Sequence, residues 1–205
     1  NYANLSGLNN SALGFQALQN NKSSNNTAIG SGAMYANETG TSSVVIGYYA
    51  GFGVASNSYS SSTIIGAFAG KAVTTGSNNI IIGSEAGDAI TSGSNNIVIG
   101  TNIDAPSNTA SNQLNIANII YGINNSGTGS TLSTGTIGIG TTSPYAKLSI
   151  HAFNGQTTTS LFAIGSSTAN STTTLFTVNN DGKVGIGTSS PTAKLSVKGD
   201  GTTTG

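Results

Sequence analysis

The chain has 205 residues, of which only 6% are Asp, Glu, Lys or Arg; six acids balance six bases, so the formal net charge is zero. Without a basic stripe it has no electrostatic footprint for nucleic acid, and without a polybasic or amphipathic segment it has none for a membrane surface. Cysteine is absent, which removes disulfides and thiolate chemistry while permitting an extracellular address, and no apolar run approaches the roughly 18 residues of a membrane span.

Disorder does not fit either, because 36% of residues are hydrophobic and they cluster in Val/Ile/Leu runs. The chain opens on Asn1 and not on Met, and reads as a processed product or an internal segment.

From Asn9 to Thr101 the sequence is a ladder of related hexapeptides. They are NNSALG ending at Gly14, NNTAIG at Gly30, SSVVIG at Gly47, SSTIIG at Gly66, NNIIIG at Gly83 and NNIVIG at Gly100. By subtraction these glycines stand 16, 17, 19, 17 and 17 residues apart, and five copies place Ala three residues later, at Ala17, Ala33, Ala50, Ala69 and Ala86. A fixed short period is the signature of a solenoid.

Each apolar run is short and rich in β-branched residues, which suits a buried strand and not a helix. The Gly marks a turn or a close backbone approach, and the preceding Asn or Gly-Ser pairs supply turn chemistry. The expected coil is therefore turn, strand, Gly kink and a second short extended piece carrying Ala. Stacked coils form an all-β, narrow parallel β-roll advancing roughly 4.8 Å per coil.

In Ile80-Ile81-Ile82 neighbours point to opposite faces, so one face fills the roll and the other is left apolar and open. Another copy of the chain is the expected cover, with the ladder Ala residues letting chains approach. The segments NNTAIGSGAM, SSTIIGAFAG and NNIIIGSEAG resemble the head repeats of trimeric autotransporter adhesins, and similar repeats occur in phage tail fibres. The resemblance implies a homotrimer of left-handed parallel β-rolls.

Residues 1–104 are thus read as a roll of six coils and 105–135 as a transition segment. In the latter, Leu114/Ile116 alternation and Ile119-Ile120-Tyr121 predict strands. A longer repeat follows: TIGIGTTSPYAKLSI (136–150) matches KVGIGTSSPTAKLSV (183–197), and Gly140 to Gly187 gives a period of 47 residues. Its GIG predicts a strand, and Ser-Pro predicts a helical turn with Ser143 or Ser190 as N-cap and Pro144 or Pro191 at the first helical position. Asp181-Gly182 predicts a two-residue hairpin turn. The first module spans 136–182 and the second, 183–205, stops early. These modules resemble the GIG-T-x-S-P-x-A-K-L units of phage tail fibres and repeat-rich bacterial surface proteins, which implies intertwined short-strand fibre modules.

Chemistry is sparse. His151 is the single histidine, no G-x-S-x-G elbow occurs, and Lys198 replaces His151 in the second module. Glu85 and Asp88 are the closest acidic pair and are read as a solvated rim in preference to glycoside-hydrolase carboxylates. Asn179-Asn180-Asp181-Gly182 lacks the ligand run of a calcium loop, and GIGTTS and GIGTSS do not complete a dinucleotide fingerprint. No catalytic, cofactor-binding or metal residue is assigned. Tyr48, Tyr49, Phe52 and Tyr59, with Phe68 nearby, are the candidate glycan contacts, with packing in a trimer core for some and within loops for the rest as the preferred reading.

The expectation is a non-enzymatic, extracellular, homotrimeric fibre segment of a bacterial cell-surface adhesin, with host receptors or surface glycans as further partners and no nucleic acid. The shaft of a phage tail fibre on a virion is the alternative, and a polysaccharide-depolymerase tail spike ranks third. Ice binding needs Thr at a constant strand position, where this ladder varies. Neither end carries a charged cap, so an open head-to-tail filament bringing Gly205 near Asn1 of the next copy is also expected.

Overall fold

Each ladder hexapeptide folds as a three-residue strand closed by its glycine. In the computed structural model, which describes residues 7–54, 57–152, 156, 160–168 and 171–199, these strands are β1 (Ser11–Leu13), β2 (Thr27–Ile29), β3 (Val44–Ile46), β4 (Thr63–Ile65), β5 (Ile80–Ile82) and β6 (Ile97–Ile99). A seventh, β7 (Leu114–Ile116), follows one turn later with Ala117 at the glycine position. All pair parallel and in register, so that Ile64, Ile81 and Val98 stand side by side. The architecture is a parallel β-solenoid of about six turns. Asn1 and Gly205, to which end-to-end contact is assigned, lie outside the described residues.

Alternation sorts the strand residues. The central ones, Ala28, Val45, Ile64, Ile81 and Val98, point inward and are fully buried. Their flanking residues point out and stay partly or largely exposed. The opposite wall of each coil is not the extended piece expected from sequence. It is turn backbone, with positive φ two and four residues after the ladder glycine, as at Phe68 (57°), Gly70 (54°), Glu85 (55°) and Gly87 (54°). Such dihedrals are incompatible with a strand. The wall is still hydrogen-bonded coil to coil: Phe68 N–H donates back to Tyr48 O at 2.8 Å, and Gly70 N–H donates forward to Ala86 O at 2.9 Å.

This wall places Ala17, Ala33, Ala50, Ala69 and Ala86 in the core, four of them fully buried. Their smallness lets the two walls of one roll approach, which corrects the expectation that they serve contact between chains. The ladder glycines Gly14, Gly30, Gly47, Gly66, Gly83 and Gly100 have φ between 129° and 152°. A Cβ on Gly83 would sit 1.9 Å from Gly100 O, and one on Gly66 would sit 2.3 Å from Gly83 O. Only Gly satisfies both the dihedral and the approach.

A polar ladder runs beside the core. Asn10, Asn26, Ser43, Ser62, Asn79, Asn96 and Gln113 occupy equivalent positions, and each of the first six accepts, through its side-chain oxygen, the N–H of the next at 2.8–3.2 Å. Asn79 Nδ2 also donates to Gly76 O and Gly93 O. Asn79→Ala therefore strands one buried donor and two buried acceptors, and a loss of about 3 kcal/mol or more is expected. Asn79→Ser keeps the acceptor that Ser43 and Ser62 supply elsewhere, so denaturant unfolding should rank it clearly above the Ala variant.

The transition segment does not interrupt the sheet. After β7 the chain adds β8 (Ile120–Ile123) and β9 (Thr136–Ile139), each antiparallel to its predecessor, and then β10 (Leu148–Ile150). The strands expected near Leu114/Ile116 and Ile120-Tyr121 are present, with Ile119 in the turn.

The chain divides into two units, 1–149 and 150–205. The second contains a separate four-strand sheet ordered β11 (Ser160–Thr168), β12 (Ser171–Asn179), β13 (Val184–Ile186), β14 (Leu195–Val197). The first two pairings are antiparallel and the last parallel. The β12–β13 turn is a three-residue loop and not a two-residue one: Gly182 N–H donates to Asn179 O, Asn179 N–H donates to Lys183 O, and Gly182 takes φ 76°. That is a type I turn closed by a left-handed residue.

The Ser-Pro segments form no helix. With no helix to cap, Ser143 and Ser190 do not act as N-caps; their own N–H groups donate to the Thr141 and Thr188 hydroxyls. The next N–H groups go to the downstream strand: Ser149 Oγ accepts Tyr145 and Ala146, and Ser196 Oγ accepts Thr192 and Ala193. Pro144 and Pro191 are buried. Gly140 (φ 70°) and Gly187 (φ 69°) turn the chain out of the GIG strand.

Candidate binding surface

The outward strand positions form two rows on the ten-strand sheet. Register places Leu13, Ile29, Ile46, Ile65, Ile82, Ile99, Ile116, Ile120 and Ile139 in one of them. Every member is aliphatic, and the row crosses from the roll into the first GIG strand without a break. The second row is mixed, running through Thr27, Val44, Thr63, Ile80, Ile97 and Leu114. No charged residue stands in either row.

A second feature climbs the turn wall. Tyr35 stacks on Phe52 at 4.8 Å between ring centroids, Phe52 meets Tyr49 at 4.7 Å, and Tyr49 lies parallel to Phe68 at 6.0 Å. Tyr48 meets Tyr49 and Phe68 edge-on at 4.5 and 5.2 Å and is itself exposed. Lys71 Nζ approaches the Phe68 ring at 6.0 Å, the outer limit of a cation–π contact. The rings stack because coil offsets repeat: Tyr35 and Phe52 each lie five residues past a ladder glycine, and Tyr49 and Phe68 each lie two past theirs. Tyr35 was identifiable from that offset, though not from proximity in sequence.

Tyr48, Tyr49 and Phe52 thus belong to one aromatic ladder, whereas Tyr59 does not. Tyr59 is fully buried, and its hydroxyl donates to Gly51 O at 2.8 Å. Burial pushes the phenol pKa far up. It fills the core of the longest coil and cannot touch a glycan, which corrects its assignment as a contact.

Of the acidic pair, Glu85 is exposed and Asp88 is held by Lys71 at 2.7 Å. Asp104, close enough to feel the Asp88 charge, accepts Ala89 N–H through Oδ1 at 3.1 Å. Desolvation, followed by the Asp88 charge and hydrogen bond, raises the Asp104 pKa against the opposing pull of Ala89 N–H and Lys71. The folded state therefore binds this proton more tightly than the unfolded chain, and stability falls as pH rises from the ordinary carboxyl range through the raised value. Asp104→Asn keeps an acceptor for Ala89 and removes the repulsion. Thermal melts between pH 4 and 7 should show it more stable than the parent at pH 7, with the advantage shrinking toward pH 4.

His151 is exposed just after β10. Lys183 pairs with Asp181 at 2.7 Å in the β12–β13 turn and lowers the Asp181 pKa. Among the described residues no group of three or more His, Cys, Asp or Glu side chains is placed to hold a metal, and no helix is long and apolar enough to cross a membrane.

No protein-family model matches this chain, and no curated protein or solved structure matches it either.

Proposed function

We propose that this chain is a non-enzymatic segment of an extracellular homotrimeric fibre, of the bacterial cell-surface adhesin type. The observation that carries this reading is the unbroken aliphatic row on the outside of the ten-strand sheet. The roll already has its core inside, so the row contributes nothing to folding of a single coil. Soluble monomers rarely leave so long a contiguous apolar strip open. Closing three such strips on a common axis covers all of them at once and leaves a closed assembly. The resemblance of NNTAIGSGAM and NNIIIGSEAG to trimeric adhesin head repeats agrees with that arrangement. On the turn wall, the ladder of Tyr35, Phe52, Tyr49, Phe68 and Tyr48 offers stacked rings to the apolar faces of sugars, which suits adhesion to surface glycans.

Native mass spectrometry and sedimentation test the proposal. A trimer mass is expected. A stable, soluble monomer over the micromolar range would remove the argument.

A further inference from the structure

The four-strand sheet of the second unit has one covered face and one open one. Residues paired across strands share a face. Ala163, Thr177, Gly185 and Ser196 stand together on one side. There the Thr188–Lys194 loop lies on the sheet, with Thr188 O only 2.4 Å from where a Gly185 Cβ would be. On the other side register aligns Phe162, Val178, Val184 and Leu195 in one row and Ile164, Phe176, Ile186 and Val197 in the next. All eight are apolar, Leu195 is 60% exposed, and every member of the buried hydrophobic core among the described residues lies between Ala17 and Ala105. A single-layer sheet with an uncovered apolar face lacks the second layer that stable domains require.

The first module repeats this arrangement. Ile137 N–H donates to Lys147 O as Val184 N–H donates to Lys194 O, both at 2.9 Å. Thr141 O packs on Gly138 as Thr188 O packs on Gly185. Ile139 and Leu148, the equivalents of Ile186 and Leu195, are likewise open, Leu148 at 55%. The loop covers the same side in both copies, and the same quartet of aliphatic residues faces away from it.

We infer that the open face of each GIG module is an interface with further copies of this chain, and that it completes the core which the second sheet lacks. A patch that recurs with the 47-residue period calls for a partner repeating at that period, and the chain itself is such a partner. The absence of charge from the patch fits a self-complementary contact. The inference rests on the self-assembly proposed above and extends it from the roll's outer row, which already takes in Ile139, to the separate sheet of the second unit.

The chain has no cysteine, so single thiols can report the interface. Leu195→Cys and Leu148→Cys are each treated with a short thiol–thiol cross-linker, beside Thr192→Cys on the loop side and Ile97→Cys on the roll. Interchain products from Leu195→Cys and Leu148→Cys, but not from Thr192→Cys, are expected. Ready maleimide labelling without cross-linking overturns the inference, as does protection without cross-linking, which would mean a cover of other origin. Cross-linking at Ile97→Cys alone would leave the fibre reading standing while this inference falls. Should a substitution prevent folding, hydrogen exchange of the parent decides. Amides of β12–β14 protected in the oligomer and open in separated monomer support the interface, and protection in both removes it.

Discussion

Gly83→Ala is expected to abolish the folded roll. The backbone at Gly83 has φ 129°, and the added methyl carbon would lie 1.9 Å from Gly100 O in the next coil. The dihedral alone costs about 1–3 kcal/mol for a residue with a side chain. The overlap adds to it, because relief requires two coils to part and their hydrogen bonds to stretch. A total of about 4 kcal/mol or more is comparable to the whole stability of many domains. Circular dichroism should show loss of the cooperative β-sheet transition. Gly199→Ala, with open space around the position, should melt as the parent does. Equal melting of both variants would contradict the stacked-glycine column.

That column was legible in the sequence because position, period and residue type all named it. The strands were legible for the same reason: two or three apolar residues, mostly β-branched in the later coils, recur before each ladder Gly. The opposite wall was not. Its left-handed positions fall to Gly32, Gly51, Gly70 and Gly87 in some coils but to Gln16, Leu18, Met34, Tyr49, Phe68 and Glu85 in others, side chains that disfavour positive φ, so the glycines, split between two offsets, form no regular turn signal. Coil-to-coil hydrogen bonds impose the conformation, and those exist only once the roll is stacked.

The Ser-Pro turns show a local signal overruled from a distance. Ser143-Pro144 and Ser190-Pro191 carry a helix-start pattern, yet Ser149 and Ser196 capture the N–H groups such a helix would use. The aromatic surface was half legible. Tyr48, Tyr49 and Phe52 could be grouped by proximity, but only the coil offset separates Tyr35, which joins the ladder, from Tyr59, which fills the core. The continuity of the outer row into Ile120 and Ile139 was hidden as well, because it depends on two antiparallel pairings after β7 that no periodicity announces.

Adjacent residues of β5 separate folding from assembly. Ile81 is fully buried among the core aliphatics, within reach of Gly70 and Gly87, whereas Ile80 is 40% exposed on the outer face. Ile81→Asp places a carboxylate where no cation or donor stands ready, a penalty of about 4 kcal/mol or more. The roll should fail to fold at any protein concentration. Ile80→Asp leaves the core untouched and its charge in water in the single chain, so the roll should retain its β-sheet spectrum. In the assembly, however, the same charge would be desolvated once in every subunit, opposite like charges from the other copies. Sedimentation of Ile80→Asp should therefore show folded material of lower mass than the parent. An Ile80→Asp chain that assembles normally would remove the outer face from the interface, and an Ile81→Asp chain that folds would refute the register of the roll.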